Sequence, residues 1–128
     1  MSWNFKPDRP IYAQLIEQIE LKICSGEYAL GVKLPSVRDL AQEAAVNPNT
    51  MQKALSKLEE DGLLYTNRTS GRFVTENEQI VKLLKNKITQ NQINEFLEKM
   101  KSLGLERKEI IHAITNLLKE DEENEHDS

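Results

Sequence analysis

Polar and basic side chains that can contact nucleic acid are concentrated in the middle of this chain. Five of them lie in or just before one polar run: Arg38, Asn49, Thr50, Gln52 and Lys53. Arginine and lysine pair with phosphates, whereas asparagine and glutamine can hydrogen-bond to base edges. Further along, Arg68, Gly71 and Arg72 belong to a polar turn. These residue types indicate a surface for double-stranded DNA.

Catalytic and metal-binding patterns are missing from the sequence. Cys24 is the single cysteine, and His112 and His126 are far apart and have no cysteine partners, so no zinc spacing is recognisable. We find no nucleophile with an adjacent base and no phosphate-binding loop. We therefore expect neither an enzyme nor a cofactor or metal.

The polar run is predicted to lie on the second of two closely spaced helices, after a first helix over Pro10–Ser25. Ser36 is positioned to cap a short helix over about Val37–Ala44. Asn47 and Pro48 are a favoured N-cap and first helical residue, so the next helix begins after only a short joint. Its inward stripe is formed by Met51, Ala54, Leu55 and Leu58, and Gly62 ends it.

Two short strand-like runs follow this helix pair. Leu63–Thr66 and Phe73–Thr75 flank the polar turn over residues 67–72, which predicts a hairpin with a basic tip. Helices joined at an angle and followed by a hairpin make a winged helix-turn-helix, whose second helix of the pair enters the major groove. The predicted fold class is mainly α with a small β-hairpin, followed by a short all-helical dimerisation region.

The helical region after the hairpin carries more apolar surface than the winged domain can cover. A change in spacing and a Thr89–Gln92 capping pattern indicate a helix break near Thr89, and Gly104 indicates a stop. We expect a homodimer, although packing within one chain is the alternative. The predicted interface consists of Ile80, Leu84, Ile93, Leu97, Ile110 and Ile114.

Length and charge divide the chain into three predicted segments. Its 128 residues allow one domain with a short appendage: a DNA-binding domain over 1–75, a helical dimerisation region over 76–119 and a disordered acidic tail over 120–128. The net charge is −4, but residues 1–75 hold nine basic and nine acidic side chains, so the acidity belongs to the C-terminal part. No apolar run approaches a membrane span and no secretory signal is evident, so we expect a cytoplasmic protein.

Three segments of the sequence resemble the GntR family of bacterial regulators: 34–41 (LPSVRDLA), 46–54 (VNPNTMQKA) and 58–64 (LEEDGLL). The resemblance extends from about Pro10 to Thr75, and the Val-Asn-Pro-Asn-Thr run is similar to the YtrA subfamily, whose C-terminal parts are short. It implies DNA contacts by Arg38 and by residues at the start of the recognition helix. It also implies a repressor with a helical dimerisation unit. Members of this subfamily often control neighbouring transporter genes.

The hairpin departs from the usual Gly-x-Gly-Thr-Phe-Val pattern of that family, because Thr69 and Arg72 stand where glycine and threonine are usual. Arg68 and Arg72 could compensate by contacting phosphates or the minor groove.

Asn47 and Pro48 are expected to act first as capping residues and second as DNA contacts. An effector site, of unknown ligand, would lie between subunits or domains. A protein-interaction module is the competing function, but its groove would expose apolar anchors rather than these polar side chains.

Overall fold

The computed structural model describes residues 3–127, so Met1, Ser2 and Ser128 of the predicted segments lie outside the described residues. Along the chain come α1 (Ile11–Cys24), α2 (Val37–Ala44), α3 (Pro48–Glu60), β1 (Leu64–Asn67), β2 (Gly71–Val74), α4 (Glu78–Ser102) and α5 (Arg107–Asp127). This order confirms the predicted fold class. The chain forms two compact units, Met1–Lys87 and Ile88–Ser128, so the first unit extends beyond the predicted boundary at residue 75.

Side-chain caps fix where α2 and α3 begin. The Ser36 hydroxyl accepts a hydrogen bond from the Asp39 amide at 3.1 Å, and the Asn47 side chain accepts one from the Asn49 amide at 2.7 Å. Each cap satisfies an amide that has no partner within its helix. Between the helices Ala45 adopts the left-handed conformation with φ of 57°, and the Val46 amide donates to the Ala41 carbonyl at 2.9 Å. The joint is therefore as short as predicted.

The core of the first unit is formed by α1, α2, α3 and the hairpin. Its fully buried side chains include Leu15, Ile19, Leu40, Met51, Leu55, Leu58 and Val74. Ile80, Val81 and Leu84, from the first turns of α4, pack against this core. Ile80 and Leu84 therefore keep only part of their surface exposed, and their predicted contribution to a dimer interface stays a prediction.

The hairpin pairs β1 with β2 in the register Leu64 to Val74 and Asn67 to Gly71. Its strands are shifted by one or two residues from the predicted runs. A segment before α2 joins the sheet: the Leu34 amide donates to the Arg72 carbonyl at 2.9 Å, and Lys33 forms a bridge with Phe73. This pairing places Lys33 beside the hairpin, whereas the sequence predicted only a loop there.

The N-terminal arm folds back onto α1. Gln14 is 4% exposed and binds the loop before α1 by accepting from the Lys6 amide at 2.7 Å and donating to the carbonyls of Lys6 and Arg9 at 2.8 and 2.9 Å. Lys22 is also buried, and its ammonium lies 4.7 Å from the Trp3 ring centroid. An ion pair of 3.3 Å with Glu27 balances the charge of Lys22.

The helix α4 runs without interruption from Glu78 to Ser102, so the predicted break near Thr89 was wrong. A spacing of five between apolar residues changes which side of a helix is apolar but does not interrupt backbone hydrogen bonds. No glycine or proline lies near Thr89 to end the helix. The predicted stop at Gly104 is confirmed: this residue has φ of 84°, and the Leu105 amide donates to the Met100 carbonyl at 3.2 Å.

The second unit exposes a large apolar surface. Ile93 and Ile114 of the predicted interface are 45% and 38% exposed, and Leu97 is half-buried. Ile110, in contrast, is 5% exposed, so it is already covered in the single chain. Other exposed apolar side chains of this unit are Phe96, Leu103, Ile111, Leu117 and Leu118.

Residues 120–127 continue α5, and the structure differs here from the predicted disordered tail. Glutamate has a high helix propensity, and a helix that has already formed upstream adds residues without a new nucleation cost.

None of the helices in residues 3–127 is long and apolar enough to cross a membrane.

The Asn47 cap gives a first testable prediction. Replacing Asn47 by alanine removes the acceptor for the Asn49 amide, so the free energy of unfolding should fall by about 1 kcal/mol. Urea denaturation monitored by circular dichroism measures this change. Asn47→Asp keeps a capping oxygen and should stay close to the wild type, and an equal loss in both variants would contradict the capping role.

Candidate nucleic-acid interface

The outward face of α3 is the centre of the candidate interface. The inward stripe of α3 is buried in the core, which leaves Asn49, Gln52 and Lys53 exposed and Thr50 half-buried. Asn47 and Pro48 are exposed at the start of the helix. The Gln52 amide donates to the Ser56 hydroxyl at 3.1 Å, an exposed contact that can be exchanged for one with a base edge.

Arg38 lies in the first turn of α2. The Ser36 cap and the short joint at Ala45 position this turn, and the Arg38 side chain is exposed. Its guanidinium presents several donors in a fixed plane, which suits contact with a phosphate or a guanine.

The tip of the hairpin is organised by one side chain. Asn67 accepts hydrogen bonds from the Thr69 amide at 3.1 Å and from the Thr69 hydroxyl at 2.9 Å. Arg68 is exposed at this tip, and Gly71 follows it with φ of 114°. A side chain at position 71 would be strained, and its Cβ would lie 3.2 Å from the Lys33 Cε.

Arg72 does not lie at the tip, and its predicted place in the turn was wrong. It pairs with Thr66 in the sheet, and its guanidinium lies 3.5 Å from the Glu59 carboxylate of α3. The side chain is 16% exposed, and its Nε finds no hydrogen-bond partner among the described residues. Arg72 therefore connects the hairpin to α3, and contact with DNA would require it to leave Glu59.

A groove of about 600 Å³ separates α3 from the hairpin. It brings together the start of α2, Gln52 of α3 and the hairpin; among its lining residues are Lys33, Ser36, Asp39, Thr66, Ser70 and Gly71. Lys33 is a functional candidate that the sequence reasoning missed. The only sequence signal was a lysine just before Leu34 and Pro35, because its place depends on the non-local pairing with β2.

In the part of the chain that the structure describes, no group of three or more His, Cys, Asp or Glu side chains could hold a metal ion. The arrangement consists of exposed hydrogen-bond donors and acceptors on α3, with basic side chains on the elements beside it.

Comparison with known proteins identifies the family. Residues 11–74 match the family described as "Bacterial regulatory proteins, gntR family". The uncharacterized HTH-type transcriptional regulator YhcF of Bacillus subtilis is 40% identical over 89% of this chain and 94% of its own. The HTH-type transcriptional repressor YtrA of the same organism is 44% identical over 53% of this chain and 52% of its own.

Solved structures agree with this match. A GntR family transcriptional regulator from Listeria monocytogenes superimposes with a TM-score of 0.82 and 37% identity, covering 88% of this chain and 98% of the other. The DNA-binding domain of AraR in complex with its operator has a TM-score of 0.53 and 30% identity, covering 59% of this chain and 99% of the other. This chain belongs to the GntR family, and it is a DNA-binding transcription regulator rather than an enzyme.

Proposed function

We propose that the protein is a cytoplasmic repressor that binds a palindromic operator as a homodimer. The observation that carries this proposal is the contrast between two surfaces. The outward face of α3 is polar, whereas the second unit exposes a set of large apolar side chains. A polar helix face with basic neighbours suits DNA, and a contiguous apolar surface usually marks an interface.

The proposed contacts divide into two classes. Asn49, Thr50 and Gln52 contact base edges in the major groove, with Asn47 and Pro48 close to the backbone. The basic side chains Lys33, Arg38, Lys53 and Arg68 surround them, and Arg38 contacts a base or a phosphate. Gly71 allows the hairpin backbone to approach DNA closely, while Arg72 holds the hairpin against α3.

Dimerisation sets the geometry of the proposed operator. Each winged unit reads one half-site, and a twofold axis makes the two half-sites a palindrome. Their centres are expected about 10 base pairs apart or at a multiple of that spacing. Ile93, Leu97 and Ile114 contribute to the interface, together with exposed residues of α5.

Repression is proposed because the relative YtrA is named a transcriptional repressor, and a bound dimer can block access to a promoter. The resemblance to the YtrA subfamily extends the proposal to neighbouring transporter genes as targets. A small effector, if one acts, would bind between subunits, because the second unit alone is too short to enclose a pocket of several hundred cubic ångströms.

Binding-site selection from random duplexes, followed by sequencing, tests the proposed function. We expect a palindromic motif that the full-length protein binds as a dimer, and the motif should occur upstream of the regulated genes. Enrichment of no motif, or of a single half-site only, would contradict the proposal.

Salt dependence gives a second prediction. Log affinity for the operator should fall linearly with log salt, with a slope of roughly −0.9 per phosphate neutralised. Lys33→Gln should make that slope less steep, because Lys33 lies at the edge of the hairpin groove. Lys108→Gln removes an exposed lysine from α5 and serves as the control. Equal slopes for Lys33→Gln and the wild type would contradict a phosphate contact by Lys33.

A further inference from the structure

A second groove lies between α3 and the start of α1. Its volume is about 560 Å³, and it is lined by Tyr12, Thr50, Gln52, Lys53, Ser56, Lys57 and Glu60. Gln52 lines both grooves, so the two grooves adjoin at the outward face of α3. A helix in the major groove is flanked by the phosphates of both strands. With one groove on the hairpin side of α3 and another on its α1 side, the second groove is available to the second strand.

Tyr12 forms the α1 side of this second groove. Tyr12 is 38% exposed, and its phenolic hydroxyl can donate a hydrogen bond. The buried Gln14 holds the loop just before α1 through three hydrogen bonds, which fixes the first turn of the helix. Tyr12 is therefore a donor on a helix turn that Gln14 anchors to the preceding loop.

Lys57 lies on the α3 side of the groove, one turn beyond Lys53. It forms an exposed ion pair with Asp61 at 3.2 Å, with the two side chains 45% and 40% exposed. Exposed pairs of this kind contribute little to stability, so Lys57 can exchange Asp61 for another anion. The hydrogen bond with Asp61 and the charges of Asp61 and Glu60 raise the pKa of Lys57.

We infer that Tyr12 and Lys57 bind a backbone phosphate of the operator strand on the α1 side of α3, and that Asp61 competes with this phosphate for Lys57. The inference rests on the proposed function and adds a second row of contacts to it. Two lysines line the groove against one glutamate, Glu60, so the phosphate is expected near Tyr12 and Lys57 rather than at the Glu60 end.

The experiment measures operator affinity of the full-length protein by fluorescence anisotropy at several salt concentrations. Tyr12→Phe removes only the hydroxyl, and we expect a loss of roughly 3- to 10-fold with an unchanged salt slope. Lys57→Gln should weaken operator binding. It should also make the slope of log affinity against log salt less steep by about 0.9 per protomer bound. A merely structural role of Lys57 would not change the slope.

Asp61 provides a test with the opposite sign. Asp61→Asn frees Lys57 and should raise operator affinity. This gain in affinity should be smaller when Asp61→Asn is added to the Lys57→Gln variant, which has no lysine to free. An equal gain in both backgrounds would overturn the competition, because it would reflect general charge alone.

The inference is wrong if Tyr12→Phe and Lys57→Gln bind like the wild type while Arg38→Ala loses affinity. That result would leave the proposed function intact. If the wild type itself binds no duplex, the proposed function is overturned and this inference falls with it.

Discussion

The double substitution Ile114→Glu with Leu118→Glu should convert the dimer to a monomer. It should also lower operator affinity on the order of 100-fold or more. Ile114 and Leu118 are 38% and 61% exposed and lie one turn apart on α5. Charges at these positions disfavour burial against a second copy but leave the single chain intact. Two tethered DNA contacts then become two independent weak ones. Analytical ultracentrifugation measures the assembly state, and anisotropy measures the affinity.

A matched control adds the same charge elsewhere on the helix. By helical spacing Asn116 lies on the side of α5 away from Ile114, and it is exposed. Asn116→Glu should therefore remain a dimer with nearly unchanged operator affinity. A double variant that still sediments as a dimer would show that these side chains are not at the interface. A wild type that is monomeric at tens of micromolar would contradict the dimer itself.

Arg38→Ala and Asn49→Ala should each lower the specific affinity for the operator by about 1 to 3 kcal/mol if the replaced side chain contacts a base. Both side chains are exposed, so folding should be unaffected. Affinity for an unrelated duplex should change less than affinity for the operator, because a base contact contributes only at the right sequence. Anisotropy titrations with both duplexes at one fixed salt concentration give the difference.

Two variants in the second unit control for this comparison. Lys108→Ala removes one positive charge and Asn94→Ala one amide, both from exposed positions. Neither should change specific affinity appreciably. Operator binding that is unchanged in both Arg38→Ala and Asn49→Ala would rule out these two residues as specific contacts.

Features governed by local chemistry could be predicted from the sequence. Ser36 and Asn47 cap helices because a short polar side chain reaches the exposed amides of the next turn. Gly62 and Gly104 end helices because each adopts a positive φ that favours glycine. The apolar stripe on one side of α3 also predicts the polar outward face on its other side, once the helix starts and the hairpin are assigned.

Features that depend on contacts distant in sequence could not be predicted in this way. The position of Lys33 depends on pairing with β2, and that of Arg72 depends on Glu59 of another element. Periodicity showed that Ile80 and Leu84 are apolar, but not that they pack against the winged core. The continuity of α4 at Thr89 does not follow from the apolar pattern, because a change in apolar spacing looks like a helix break although the backbone hydrogen bonds continue through it.

The packing of Trp3 on Lys22 gives the chain a built-in optical probe. Trp3 is the single tryptophan, and its ring lies 4.7 Å from a buried ammonium in the first unit. Residues 88–128 contain neither tryptophan nor tyrosine, so emission excited at the red edge of the absorption band reports the first unit alone. Far-ultraviolet circular dichroism, in contrast, also detects α5 and the end of α4. Coincident denaturation curves from the two signals would mean that both units unfold as a single cooperative system, and separated curves would mean that each has its own transition.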